Sequence, residues 1–184
     1  MTEPKFYRVV VPLDDAQGNA SLQRTSQECA AYYARYNRAQ FVMPEKYQIV
    51  IGIFTLRAGI QSETLASHLR AAYSLYGGLR VDPWDKCLEL KENSSNYHTS
   101  DVLMRLWIRN PDPRYSSLSL LCLHEDLFAL VYHFGGRMDT TFFTPYASIG
   151  QVHSASHPIG YFVTKDLICP FIVNPMNFVL ETIN

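Results

Sequence analysis

"PEKYQIVIGIF" (residues 44–54) and "FTPYASIGQV" (residues 143–152) repeat one arrangement almost a hundred residues apart. Gln48-Ile49-Val50-Ile51-Gly52 aligns with Tyr146-Ala147-Ser148-Ile149-Gly150. Each has a polar or aromatic head, two small or β-branched residues, then Ile-Gly. Such residues fit a pleated surface, so both stretches read as strands, over 47–55 and 142–152. Strict alternation along the first sends Gln48, Val50, Gly52 and Phe54 to one face, and Tyr47, Ile49, Ile51 and Ile53 to the other.

Working outward, Phe6 to Pro12 reads as a short strand, ended by Pro12 and the turn residues Asp14, Asp15 and Gly18. Ser21 to Arg38 carries Leu22, Thr25, Cys29, Tyr33 and Tyr36 at helical spacing, with Asn19 or Ser21 as its cap. A second helix is expected over Ser62 to Tyr76, closed by Gly77-Gly78. Cys87 to Leu90, Val102 to Arg109 and Ser117 to Leu123 read as three strands, and Glu125 to Phe134 as a third helix stopped by Gly135-Gly136. The tail from Val163 onward is too rich in proline for one long helix and reads as short strands and turns. This order, β-α-β-α-β-β-β-α-β and a tail, is α+β.

Composition narrows the function. Apolar residues make up 47% of 184, enough for one full core, and 18% are charged, too few for a disordered chain. Sixteen Lys and Arg face seventeen Asp and Glu. The basic excess that phosphate contacts require is absent, so a nucleic acid is not expected as the principal ligand. Cys29, Cys87, Cys122 and Cys169 contain no CxxC pair and read as buried thiols of a reducing compartment. No secretory h-region and no apolar run of spanning length is visible, which places the expectation in the cytosol.

These residues resemble a known family, the two-histidine (2H) phosphoesterases, which include the 2'-5' RNA ligase-like and cyclic phosphodiesterase proteins. That family opens with a strand like "FYRVVVPLD" and has a "P-E-x-hydrophobic-His-x-Thr-hydrophobic" strand. After its third helix comes "F-x-Pro-His-x-Thr-hydrophobic-Gly". "FVMPEKYQIVI" and "FFTPYASIG" match the surroundings of both motifs, and the likeness runs from Phe6 to about Val152. It implies a single domain over 1–184 with two pseudo-symmetric lobes, in which two antiparallel sheets form a central groove flanked by helices.

The departure from the motifs sets the functional expectation. In the family one histidine acts as base and the other as acid, and each Thr or Ser holds a phosphate oxygen. Here Gln48 and Val50 replace the first pair, Tyr146 replaces the second His, and Ser148 keeps the hydroxyl. A Gln amide does not titrate near neutrality and an ordinary phenol does so near pH 10. Losing one positioned acid or base costs on the order of 10²–10⁴-fold, so no phosphodiesterase activity is expected.

The groove would then be a mainly apolar pocket with a few placed polar groups, the usual form of a small-molecule site. Tyr146 and Gln48 are its candidate catalytic residues. Val50, Ser148, Phe54, Tyr7, Arg105 and Trp107 are candidate ligand contacts, although Tyr7, Arg105 and Trp107 fit plain packing as well. No cofactor and no metal is expected. His153 and His157 in "HSASH" have the spacing of a helical metal pair, but Pro158 follows at once and the segment leaves a strand. His98 has no partner at a diagnostic spacing, and His124 and His133 read as helix-end or surface residues. A nucleotide or RNA binder and a pure protein-interaction module remain open as alternatives.

Overall fold

The computed structural model describes residues 5–36, 40–93, 101–109, 117–138, 146–153 and 171–183. In chain order these form β1 (Phe6–Pro12), α1 (Ala16–Tyr36), β2 (Gln40–Val42), β3 (Gln48–Thr55), α2 (Ser62–Tyr73), β4 (Leu79–Asn93) and β5 (Asp101–Arg109). There follow α3 (Ser117–His133), β6 (Arg137–Met138), β7 (Tyr146–His153), β8 (Phe171–Val173), a 3₁₀ turn (Pro175–Asn177) and β9 (Val179–Ile183). The fold is α+β, with three helices and antiparallel strand pairing among the described residues.

The strands join in one order, β8-β4-β5-β7-β3-β1-β9, with β2 added against β7 and β6 against β3. Where the resemblance implied two sheets, the described strands join in a single hydrogen-bonded path. The pairing of the two motif strands is short. β3 and β7 share the registered pairs Ile49↔Ala147 and Val50↔Tyr146, beyond which β7 takes β2 as neighbour and β3 takes β6. The two motif strands thus form the seam of the sheet.

One apolar cluster holds the helices to one sheet face. Ile49, Ile51, Phe54, Ala147 and Ile149 pack with Leu22, Cys29 and Tyr33 of α1, with Leu65, Leu69 and Tyr73 of α2, and with Leu120, Leu123, Leu127 and Val131 of α3. Two tyrosines tie the C-terminal end of α2 and the turn after it to α3: the buried Tyr73 Oη donates to the Leu123 carbonyl (3.0 Å) and the half-buried Tyr76 Oη to Asp126 (2.7 Å). Burial pushes both phenols well above their usual range, so they stay protonated donors.

Several elements differ from the sequence reading. α1 begins five residues earlier than Ser21, because Asp15 is the cap: its carboxylate accepts the Gln17 N–H at 3.0 Å. Asn19, read as a cap, instead donates to the Leu13 carbonyl from within the helix. Ser117 to Leu123 is the first half of α3 and not a strand. Ser-Leu-Ser-Leu alternates like a strand, yet Leu120, Leu123, Leu127 and Val131 form a helical stripe that the core accepts. Cys87 to Leu90 is part of a longer β4, interrupted by a register shift between Pro83 and Leu88. The short strands β2 and β6 carry too few residues to show a period. Phe142 to Pro145, His98 and His157 lie outside the described residues.

Candidate functional site

The register assembles the site. Across five strands one row reads Trp107 (β5), Tyr146 (β7), Val50 (β3), Val10 (β1) and Val179 (β9), each the partner of the next. The adjacent row on the same face contains Arg105 opposite Ser148 and Gln48 opposite Pro12. Continuing the Ile49↔Ala147 register by one step sets Gln48 opposite Ser148. The register therefore sets positions 105, 107, 146 and 148 in line with Gln48 and Val50 at the seam. No described helix packs on that face, where Val10 is 0% and Val50 7% exposed.

Phe54 and Tyr7 are elsewhere. Their rings stack at 5.8 Å on the helix-covered side, where Phe54 is 1% exposed within the core. The reason is a bulge. Val9 pairs with Gly52 but Val10 pairs with Val50, leaving Ile51 unmatched. The extra residue reverses the alternation, so Gly52 and Phe54 join Ile49 and Ile51 on the core face. β7 has the same defect: Met104 pairs with Gly150 and Arg105 with Ser148, leaving Ile149 unmatched.

A bulged residue leaves the ladder, and its buried carbonyl needs another donor. Both are supplied by helices. Ser26 Oγ of α1 donates to the Ile149 carbonyl at 2.7 Å, and itself accepts from Tyr47 Oη at 2.8 Å. His124 Nδ1 of α3 donates to the Ile51 carbonyl at 2.8 Å. Ser26 and His124 are 98 residues apart, and so are Ile51 and Ile149. α1 and β2 therefore clasp β7, while α3 and β6 clasp β3, each half of the chain gripping the motif strand of the other.

Sequence reading missed both clasp residues. The signal was present: Leu22, Ser26, Cys29, Tyr33 and Leu120, His124, Leu127, Val131 have identical spacing, with one polar residue at the second place of each apolar stripe. Burial holds the His124 imidazole below its usual pKa, opposed by its bond to the Ile51 carbonyl, so it serves here as a neutral donor. Ser26→Ala will leave the Ile149 carbonyl without this donor and Tyr47 Oη without this acceptor, at a cost of about 1–3 kcal/mol in urea unfolding. A loss as small as that of an exposed Ser→Ala change would remove Ser26 from this role.

Beside Gln48, at the end of the lower row, an open cleft of about 680 Å³ is lined by Pro12, Met43, Gln48 and Val179. Its charged lining is Asp14, Glu45 and Glu181 against Lys46. The nearby Arg8, on the same face, has its Nε on Glu181 at 2.5 Å. No group of three or more His, Cys, Asp or Glu with metal-ligating geometry occurs among the described residues. None of the described helices is long and apolar enough to cross a membrane.

The overall fold has counterparts among solved structures. The chain is similar over 99% of its length to the whole of the MHV ns2 PDE domain, with a TM-score of 0.57 at 12% identity. It is also similar to Kluyveromyces marxianus Usb1, with a TM-score of 0.56 at 11% identity, covering 82% of this chain and 72% of that one. Both are members of the 2H phosphoesterase superfamily, and this chain shares their α+β fold. No protein-family model and no curated protein matches the sequence.

Proposed function

We propose that this protein is a 2H phosphoesterase-like fold without phosphodiesterase activity, whose two-lobed groove binds a small, rather apolar molecule. One observation carries the reading. Two adjacent rows at the seam bring together positions 48, 50, 146 and 148, the four that the resemblance equates with the two His-x-Thr pairs. An amide, two methyl groups, a phenol and one hydroxyl stand where two imidazoles and two hydroxyls would perform acid–base chemistry on a phosphodiester. The adjoining cleft supports this: with Glu181 paired to Arg8, Asp14 and Glu45 still stand against Lys46, a lining that suits a phosphate poorly.

Within such a groove Val50 and Trp107 supply apolar contact, Gln48 orients the ligand through its amide, and Ser148 adds a hydrogen bond. Tyr146 then polarises a carbonyl or relays a proton. Isomerisation or cyclisation suits this set, because fixing a reactive conformer can itself supply several kcal/mol.

A second reading, a nucleotide binder without chemistry, is favoured by the register that pairs Arg105 with Ser148 across β5 and β7, since an arginine and a serine are residue types that bind phosphate. Thermal-shift measurement with 2',3'-cyclic nucleotides, 2'-5' oligoadenylate and a panel of apolar metabolites separates the two. A ligand at a hundred times its Kd adds about 2.7 kcal/mol, or some 5–10 °C in a chain of this size. We expect an apolar compound to shift the midpoint and nucleotides to leave it unchanged. Stabilisation by nucleotides alone would overturn the proposal. With a ligand identified, Tyr146→Phe retains most affinity and abolishes turnover if the phenol takes part in chemistry.

A further inference from the structure

α3 is apolar on two sides. Its inward stripe fills the core, but Leu121, Phe128 and Tyr132 on the opposite side are 39%, 48% and 76% exposed. With the exposed Glu125 they follow one another at spacings of four, three and four residues, the seam pattern of helices that pair. A helix apolar all round is ordinarily buried all round, so this side is unfinished in the single chain. At its C-terminal end Phe128, Tyr132, Gly135 and Arg137 line an open pocket of about 590 Å³, distinct from the cleft beside Gln48.

We propose that this face is the interface of a homodimer, with α3 packed antiparallel against α3 of a second copy about a two-fold axis near Phe128. A two-fold interface must be complementary to itself, and the charges of this face meet that requirement. Glu125 stands toward the N-terminal end of the stripe and Arg137 beside its C-terminal end. Antiparallel packing sets each copy's carboxylate toward the other's guanidinium, whereas parallel packing would set like against like. The same arrangement lays Phe128 against its counterpart near the axis and Tyr132 of each copy against Leu121 of the other, and buried aromatic side chains are the usual anchors of such interfaces. The near balance of charge, −1 for the chain, leaves little repulsion between copies.

The test is the molar mass of the full chain by light scattering over a concentration series. The wild type is expected to approach twice 21.1 kDa at high concentration. Tyr132→Glu and Phe128→Glu should remain at the single-chain mass, with unchanged circular dichroism because both residues are exposed. Glu125→Arg or Arg137→Glu alone should weaken association about tenfold, and the double exchange should restore it. A wild type that stays at 21.1 kDa throughout overturns the proposal. So does a dimer indifferent to Tyr132→Glu and Phe128→Glu, since its interface lies elsewhere. None of these residues lies in the seam rows, so either result leaves the ligand reading untouched.

Discussion

Alanine at position 150 will destabilise the protein by about 1–3 kcal/mol, lowering the melting midpoint by some 2–12 °C for a chain of this length. A Cβ there would stand 2.7 and 2.8 Å from Cε1 and Cε2 of Phe41, deep inside the ring's contact radius. The ring has little room to retreat, because its other neighbour is the buried Tyr33, stacked on it at 5.9 Å and nearly parallel. Gly52→Ala, the equivalent change in β3, should cost less. The obstacles there are the ends of flexible side chains, Met138 Cε at 2.5 Å and Leu127 Cδ2 at 2.9 Å. The discriminating measurement is a double-mutant cycle: Phe41→Leu should recover part of the loss in Gly150→Ala. Equal costs at the two glycines, or no recovery, would show that the clash with Phe41 is not the cause.

His124→Ala carries the other large effect, about 2–4 kcal/mol, from an unsatisfied buried carbonyl at Ile51 and the cavity left by the ring. His124→Asn should cost much less, since an amide N–H can stand where Nδ1 stood. The pair also predicts a pH dependence. Burial depresses the folded-state pKa of His124 below the ordinary value near 6.5. Above that value the ring is neutral in both states and its full contribution is present. As the pH falls through it the unfolded chain binds a proton that the folded chain does not, so stability declines until the folded-state pKa is reached. Urea midpoints between pH 7.5 and pH 5 should therefore fall more steeply for the wild type than for His124→Asn. Parallel slopes would mean that the ring ionises as readily folded as unfolded.

Both predictions come from features that pattern reading could see without understanding. The repeated Ile-Gly was plain, but alternation put Gly52 and Phe54 beside Gln48 and Val50. One unmatched residue at Ile51 reverses the parity of everything after it. A bulge is set by what the neighbouring strand and helix require, and neither is contained in an eleven-residue window. The reading of Ser117 to Leu123 as a strand failed for a related reason. A short Ser-Leu alternation satisfies period two, and only the core offered to Leu120, Leu123 and Leu127 decides for period 3.6.

By itself the sequence determined the motif surroundings, the strand character of both motif segments and the residues at their heads, and these proved enough to reach the fold. Local β-preference and the apolar pattern suffice for that, because each is a property of a few consecutive residues. Tertiary structure alone decided that Trp107, Tyr146, Val50 and Val10 form one row, since register is a relation between strands far apart in the chain. It alone assigned Ser26 and His124 to the carbonyls that the two bulges expose. A buried carbonyl must find a donor wherever the fold brings one, and which helix supplies it is settled only when both halves of the chain have closed upon each other.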